Sequence, residues 1–144
     1  MAIEVYLNFN GNCREAVEFY SRAFNTPMQP IMTFGEGEAS PDFPIPEAAK
    51  DLVMHTFLTI AGDRVMFSDG WPGQPLTVGD NVSLTVISDD ADEITAQFNA
   101  LKDGGTVGME LQETFWSKWY GMVTDKYGVC WQFSHSAEPA EMME

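Results

Sequence analysis

The run "YGVCWQFS", Tyr127 to Ser134, alternates with a period of two: Val129, Trp131 and Phe133 fall on one side, Cys130, Gln132 and Ser134 on the other. Successive side chains of a strand stand on opposite faces. A strand with this pattern is therefore buried on one side only, and a one-residue slip would turn its aromatic set outward. Asp125-Lys126-Tyr127-Gly128 before it is a turn sequence, so the aromatic-rich stretch Phe115 to Ser136 reads as a hairpin. The apolar face is core. The other face carries Cys, Gln and Ser, which is neither a charged solvent face nor an obvious catalytic one.

The rest of the chain repeats one arrangement twice. Ile3, Val5, Leu7 and Phe9 alternate with Glu4, Tyr6 and Asn8 as a first strand. Ala16, Val17, Phe19, Tyr20, Ala23 and Phe24 follow at helical spacing, with Asn12 as the expected N-cap and Glu15 three residues later. A strand is expected over Met28–Phe34, then an acidic Gly/Pro-rich loop, then a hairpin made of "VMHTFLTI" and "RVMFSD". In the second half "NVSLTVI" is a strand with Val82, Leu84 and Val86 on one face. A helix opened by Ser88 or Asp89 and closed by Gly104 comes next, then a strand near Thr106–Leu111 and the terminal hairpin. An offset of 77 lays Leu7 on Leu84 and Phe9 on Val86, and an offset of 64 lays Phe67 on Trp131 and Ser68 on Gln132. The chain thus reads as a tandem repeat of strand–helix–strand–strand–strand, an α+β organisation. The expected limits are module 1 at about 1–72 and module 2 at about 80–136, within one domain spanning 1–136, followed by an acidic tail at 137–144.

Charge and cysteine use narrow the function. Twenty-two acidic against seven basic residues give a net charge of −15, which argues strongly against a nucleic-acid partner because such binding neutralises phosphates with basic patches. No apolar run reaches membrane-span length, and the N-terminus lacks the basic start and apolar stretch of a signal peptide, so a cytoplasmic protein without a membrane partner is expected. Cys13 and Cys130 match no metal or redox spacing and read as buried reduced thiols. There is no Gly-x-Ser-x-Gly, no phosphate-cradling Gly-Lys-Ser/Thr loop and no dinucleotide fingerprint.

The repeat, the segments "YLNFNGNCREAVEFYSRAF" and "MHTFLTIAGDRVMFSDG", and above all "TFWSKWYGMVTDKYGVCWQF" resemble the vicinal oxygen chelate superfamily. This is the glyoxalase, bleomycin-resistance and dioxygenase group, and the likeness is to its PhnB-like branch. The resemblance spans nearly the whole chain. It implies two βαβββ modules forming a curled mixed sheet around a concave cavity, with the helices outside. Cys130, Gln132 and Ser134 would then line the cavity, as would Tyr6 and Asn8 from the first strand and Ser83 and Thr85 from its repeat mate. His55 is expected at the cavity rim, and Trp71 on the edge loop "SDGWPGQP".

Metal-using members of the superfamily draw ligands from the first and last strand of each module, usually as His or Glu. Carried onto this chain, those places fall on Tyr6, Ser68, Ser83 and Gln132, none of them imidazole or carboxylate. Glu4 and Asp69 enter only if the alignment slips, and His135 sits at the end of the last strand. The expectation is a metal-free, cofactor-free, homodimeric binder of a small organic molecule. The alternative is a metal-dependent glyoxalase- or dioxygenase-like enzyme. Names on this branch suggest quinone methylation or phosphonate metabolism, and no methyl-donor site is seen in the sequence. Trp131 is expected to be a core anchor, and Gln132 to matter little for folding.

Overall fold

The computed structural model describes residues 1–36, 45–71 and 73–136. Its chain divides into two compact units, Met1–Thr77 and Val78–Glu144. The first unit contains β1 (Val5–Phe9), α1 (Cys13–Ala23), β2 (Met32–Thr33), β3 (Val53–Ile60) and β4 (Asp63–Asp69), with a 3-10 turn at Glu47–Ala49. The second contains β5 (Leu84–Ser88), α2 (Ala91–Leu101), β6 (Thr106–Gln112), β7 (Tyr120–Thr124) and β8 (Cys130–His135). Each has one four-stranded mixed sheet, in the order β1-β4-β3-β2 or β5-β8-β7-β6. The chain is α+β, with two modules of the same strand order.

The registers repeat as well as the order. In the parallel pair β1–β4, Leu7 lies beside Phe67 and Asn8 beside Ser68; in β5–β8, Leu84 lies beside Trp131 and Thr85 beside Gln132. These are the pairings that the offsets of 77 and 64 carry onto one another. In each sheet the larger apolar residues face the helix. Tyr20 of α1 stacks on Phe67 at 5.7 Å between ring centroids, and Phe98 of α2 meets Phe133 edge-on at 6.1 Å. Trp131, Phe133, Ile94 and Leu101 are fully buried, which bears out the alternation in β8.

The motif Asp-x-Tyr-Gly-x-x-Trp is a single hydrogen-bonded unit. The Asp125 side chain is buried. Its Oδ1 accepts from the backbone N–H of Tyr127 at 2.8 Å and of Val129 at 3.1 Å, and its Oδ2 accepts from Trp131 Nε1 at 2.9 Å. Gly128 takes φ +87°, a left-handed conformation that side chains disfavour, and its N–H closes the turn onto Asp125 O at 2.9 Å. The Tyr-Gly pair further upstream has a packing reason. A Cβ on Gly121 would stand 2.8 Å from Leu111 Cδ2 and 3.0 Å from Phe98 Cε2, so glycine lets α2 lie close on β7.

Several expectations need correction. The strand expected over Met28–Phe34 is only Met32–Thr33, because Pro27 and Pro30 supply no N–H to a ladder. Ile3 and Val82, expected on core faces, are exposed and lie ahead of β1 and β5. Continuing the registers would set them opposite Asp63 and Val129, where the partner strands are turning and the ladder ends. The cap of α2 is Asp90, not Ser88 or Asp89; its Oδ1 accepts from Asp92 N at 3.0 Å and Glu93 N at 3.1 Å. Asn12 stands at the cap position of α1 without capping through its side chain. The buried Asp69 does that work from the end of β4: its Oδ1 accepts from Gly11 N at 2.8 Å and Cys13 N at 3.0 Å, and its Oδ2 from Val53 N at 2.9 Å. Both thiols are free and Cys13 is buried, but Cys130 is half-buried on the opposite side of β8 from the core. Residues 137–144, expected as an acidic tail, lie outside the described residues, as does 37–44 of the Gly/Pro-rich loop. No helix among the described residues is long and apolar enough to cross a membrane.

Replacing Asp125 by Ala leaves the buried indole N–H and two turn amides without their acceptor. Urea unfolding is expected to show a loss of about 2–4 kcal/mol, with Asp125→Asn losing less because one carbonyl acceptor remains. Trp131→Ala should cost about 3–5 kcal/mol, as aromatic truncations in packed cores do. A change within about 0.5 kcal/mol for Asp125→Ala, the range of an ordinary surface substitution, would contradict this account of the motif.

Candidate functional site

Helices cover one face of each sheet, and the other face carries the side chains singled out above. In the first unit Tyr6 and Asn8 stand on this open face of β1, and Met66 and Ser68 beside them on β4. Phe57 and His55 continue the rows on β3. Tyr6 Oη lies 3.4 Å from His55 Nδ1, with the two rings 5.9 Å apart, so the cross-sheet spacing brings these two residues together. Ser68 is nearly buried, while Asn8 is exposed. Trp71 lies in the loop after β4 and packs edge-on against the buried Phe34 at 5.6 Å.

The second unit is more tightly organised. Gln132 sits between two partners on its open face. Its Oε1 accepts a hydrogen bond from Tyr120 Oη, and its Nε2 donates to Ser83 Oγ at 2.8 Å. Thr85 lies beside Gln132 and Met122 on its other side. Thr124 Oγ1 approaches Cys130 Sγ at 3.6 Å one row away. Tyr120 is almost fully buried, and this burial raises its phenol pKa above the ordinary value of 10.0. The phenol is therefore a hydrogen donor across the physiological range and fixes the amide of Gln132.

The sequence reading placed Gln132 and Ser83 on one face but missed Tyr120, the third member of the chain of bonds. A signal was present: Tyr120, Met122 and Thr124 alternate in the strand before the turn, and a hairpin with the Asp125–Gly128 turn sets Tyr120 near Ser134 and Gln132. The same bonds revise the expectation that Gln132 matters little for folding, since its removal leaves a buried phenol without an acceptor.

The four places to which the superfamily resemblance assigns metal ligands contain Tyr6, Ser68, Ser83 and Gln132, and these residues do not fit a divalent transition ion. They offer two hydroxyls, a phenol and an amide, with the amide carbonyl already accepting from Tyr120 and the amide N–H₂ turned toward Ser83. The carboxylates that an alignment slip would admit are committed elsewhere. Glu4 pairs with Arg64 at 2.6 Å, and Asp69 accepts from the backbone around the start of α1. His135 Nε2 lies 3.1 Å from Asp89 O. Among the described residues no group of three or more His, Cys, Asp or Glu side chains converges as a metal site would require.

A shallow cleft of about 350 Å³ lies away from these faces, at the start of α1, lined by residues including Arg14, Glu15, Glu18, Asp51 and Asp69. Three more carboxylates beside Asp69, against one arginine, make it unfavourable for a phosphate or carboxylate group. The helix N-terminus that would attract such a group is already occupied by Asp69. Cys13 opens that helix, and burial together with the neighbouring Asp69 charge pushes its thiol far above the ordinary range, so it is a structural thiol and not a nucleophile.

Comparison with known proteins matches residues 1–134 to the family described as 3-demethylubiquinone-9 3-methyltransferase. Protein YjdN of Escherichia coli (strain K12) is 32% identical over 148 residues, covering 93% of this chain and 95% of that protein. Protein PA1353 from Pseudomonas aeruginosa superposes with a TM-score of 0.80 at 36% identity, over 94% of this chain and 97% of that one. A putative 3-demethylubiquinone-9 3-methyltransferase, PhnB protein, from Bacillus cereus superposes with a TM-score of 0.74 at 27% identity, over 94% and 100%. A more distant likeness, of fold alone, is to the fosfomycin resistance protein FosX from Listeria monocytogenes in complex with Mn(II), with a TM-score of 0.65 at 12% identity over 100% and 98% of the two chains.

In an alkaline absorbance titration Tyr120 is expected to ionise above the ordinary tyrosine value. The sign follows from linkage. The folded state holds the Tyr120 proton to higher pH than the unfolded state, so stability falls as pH rises past the ordinary tyrosine pKa of about 10. Tyr120→Phe should remove that part of the alkaline loss. An identical alkaline titration of the variant and the parent would contradict the placement of Tyr120.

Proposed function

The chain belongs to the 3-demethylubiquinone-9 3-methyltransferase family, on the PhnB-like branch of the vicinal oxygen chelate superfamily, and from that premise we propose that it is a metal-free small-molecule-binding protein. The observation that carries this reading is Gln132. At a place where the superfamily resemblance would put a metal ligand, this chain has an amide held at both ends by Tyr120 and Ser83. Such an amide is a preorganised hydrogen-bonding group on an otherwise mild surface of Thr85, Met122 and Cys130, the composition of a site for a neutral organic ligand. The fixed orientation lowers the cost of binding because less freedom is lost on contact.

The family's description names a methyl transfer, and this reading does not include one. A donor such as S-adenosylmethionine brings a nucleoside and a carboxylate. The glycine-bearing strand-to-helix loop Asn10-Gly11-Asn12, where such a carboxylate would meet a helix N-terminus, is filled by the protein's own Asp69. The metalloenzyme alternative rests on fold likeness to FosX, and fold likeness does not transfer a site whose donors are different.

We also propose a homodimer. The second unit exposes Val82 and Ile87, and the first Ile3 and Met32, apolar side chains that a two-fold pairing of copies would take out of water. Sedimentation is expected to give a dimer at micromolar concentration, and a monomer there would overturn the assignment.

The binding reading is tested by thermal shift against a panel of metabolites and drugs, with Zn²⁺, Mn²⁺, Ni²⁺ and Fe²⁺ included. A neutral organic compound should raise the melting temperature of the parent and raise that of Gln132→Ala much less, because native-state binding stabilises by mass action. The metals should leave no stoichiometric ion on the purified protein. One tightly held metal per chain, lost in Gln132→Ala, would overturn the reading.

A further inference from the structure

The loop between β6 and β7 sets an aromatic ring against Tyr120, the partner of Gln132. Its anchor is Ser117, which is fully buried. Ser117 Oγ donates to Trp119 O at 3.0 Å and accepts from the backbone N–H of His135 at 3.1 Å, while Ser134 Oγ lies 3.2 Å away. The loop backbone closes with Thr114 N–H donating to Ser117 O at 2.9 Å. The indole of Trp119 is fixed from below by a 2.9 Å bond to Thr95 Oγ1 on α2. The two residues ahead of the anchor are thereby held outward: Phe115 is 94% exposed and Trp116 37% exposed. Their position is nevertheless defined. The Trp116 ring meets Tyr120 edge-on at 5.2 Å, and the Phe115 ring meets Trp116 at 4.7 Å and 85°. Trp116 thus stands against the phenol that holds Gln132.

Resting on the binding reading above, we propose that this face selects a flat aromatic ligand, uncharged or cationic, that carries a carbonyl acceptor. Trp116 would be the stacking wall and Gln132 the donor. Three independent observations point to this class. First, a large ring held at a fixed position with more than a third of its surface in water offers a flat apolar contact at little ordering cost. Second, the hydrogen-bonding sense is set. Tyr120 occupies the carbonyl of Gln132 and one amide N–H goes to Ser83, which leaves the second N–H for an acceptor on the ligand. Third, the chain's charge of −15 disfavours an anion. Trp116 is a specificity-determining residue in this scheme, and Phe115 braces it.

Acridone is a suitable probe: planar, neutral, fluorescent and bearing one ring carbonyl. Its anisotropy should rise on titration with the parent protein. Trp116→Ala should weaken binding about tenfold or more, while Trp116→Phe, which keeps a ring, should retain most of the affinity. Acridine, which lacks the carbonyl, should bind more weakly than acridone to the parent and equally well to Gln132→Met. N-carboxymethylacridone, with the same rings and a negative charge, should bind at least tenfold less tightly. Each variant's melting curve confirms that it is folded. No binding of acridone, or equal affinity in the parent and Trp116→Ala, would overturn the proposal. A panel compound whose stabilisation is lost in Gln132→Ala but kept in Trp116→Ala would overturn this ligand class and leave the binding reading standing. If no panel compound stabilises the protein at all, the binding reading fails first.

Discussion

The buried carboxylate of Asp125 is the interaction on which the second module depends. By accepting from Tyr127 N, Val129 N and Trp131 Nε1, it fixes the turn and the rotamer of the largest core side chain together. Once Trp131 points at α2, the period of two sends Gln132 to the opposite face with no freedom in the matter. The same register brings Tyr120 across from Ser134 and Met122 across from Gln132, so the phenol reaches the amide. The Asp125 carboxylate thereby sets the position of a functional group seven residues further along the sequence.

The first module solves the same problem differently. At the end of β4 it has Asp69 where its repeat mate has the core residue Phe133, and that carboxylate ties the start of α1 to the start of β3. The second module caps α2 locally with Asp90 and is free to keep an aromatic ring at the matching place. One divergence between the halves thus falls where a helix must be started, while the parallel registers match. The open faces diverge too. His55 meets Tyr6 in one, whereas Gln132 is clamped by Tyr120 and Ser83 in the other.

The elements with strong periodicity were legible in the sequence: both helices, the β3–β4 and β7–β8 hairpins, the repeat offsets, and the faces of β8. What was not legible depended on contacts distant in sequence. The capping of α1 by Asp69 spans 56 residues between Cys13 and its acceptor, and no local rule announces it. The ends of β1 and β5 were drawn too early because Ile3 and Val82 fit the alternation, although the partner strands have already turned there. At the candidate site, residue identities on the open faces followed from parity. The bonds among them did not, because parity gives the face of each side chain and not which side chains on that face reach one another.

The Gln132 amide, held by Tyr120 and Ser83, is proposed as the hydrogen-bonding group for an organic ligand, at a place where the superfamily resemblance would put a metal ligand. The most direct measurement is the proton–nitrogen NMR spectrum of the Gln132 side-chain amide during titration with Mn²⁺. Two well-separated, slowly exchanging amide proton signals should persist while paramagnetic broadening is confined to the acidic surface. Selective loss of the Gln132 and Ser83 signals at substoichiometric Mn²⁺ would place a metal at that point and contradict the account.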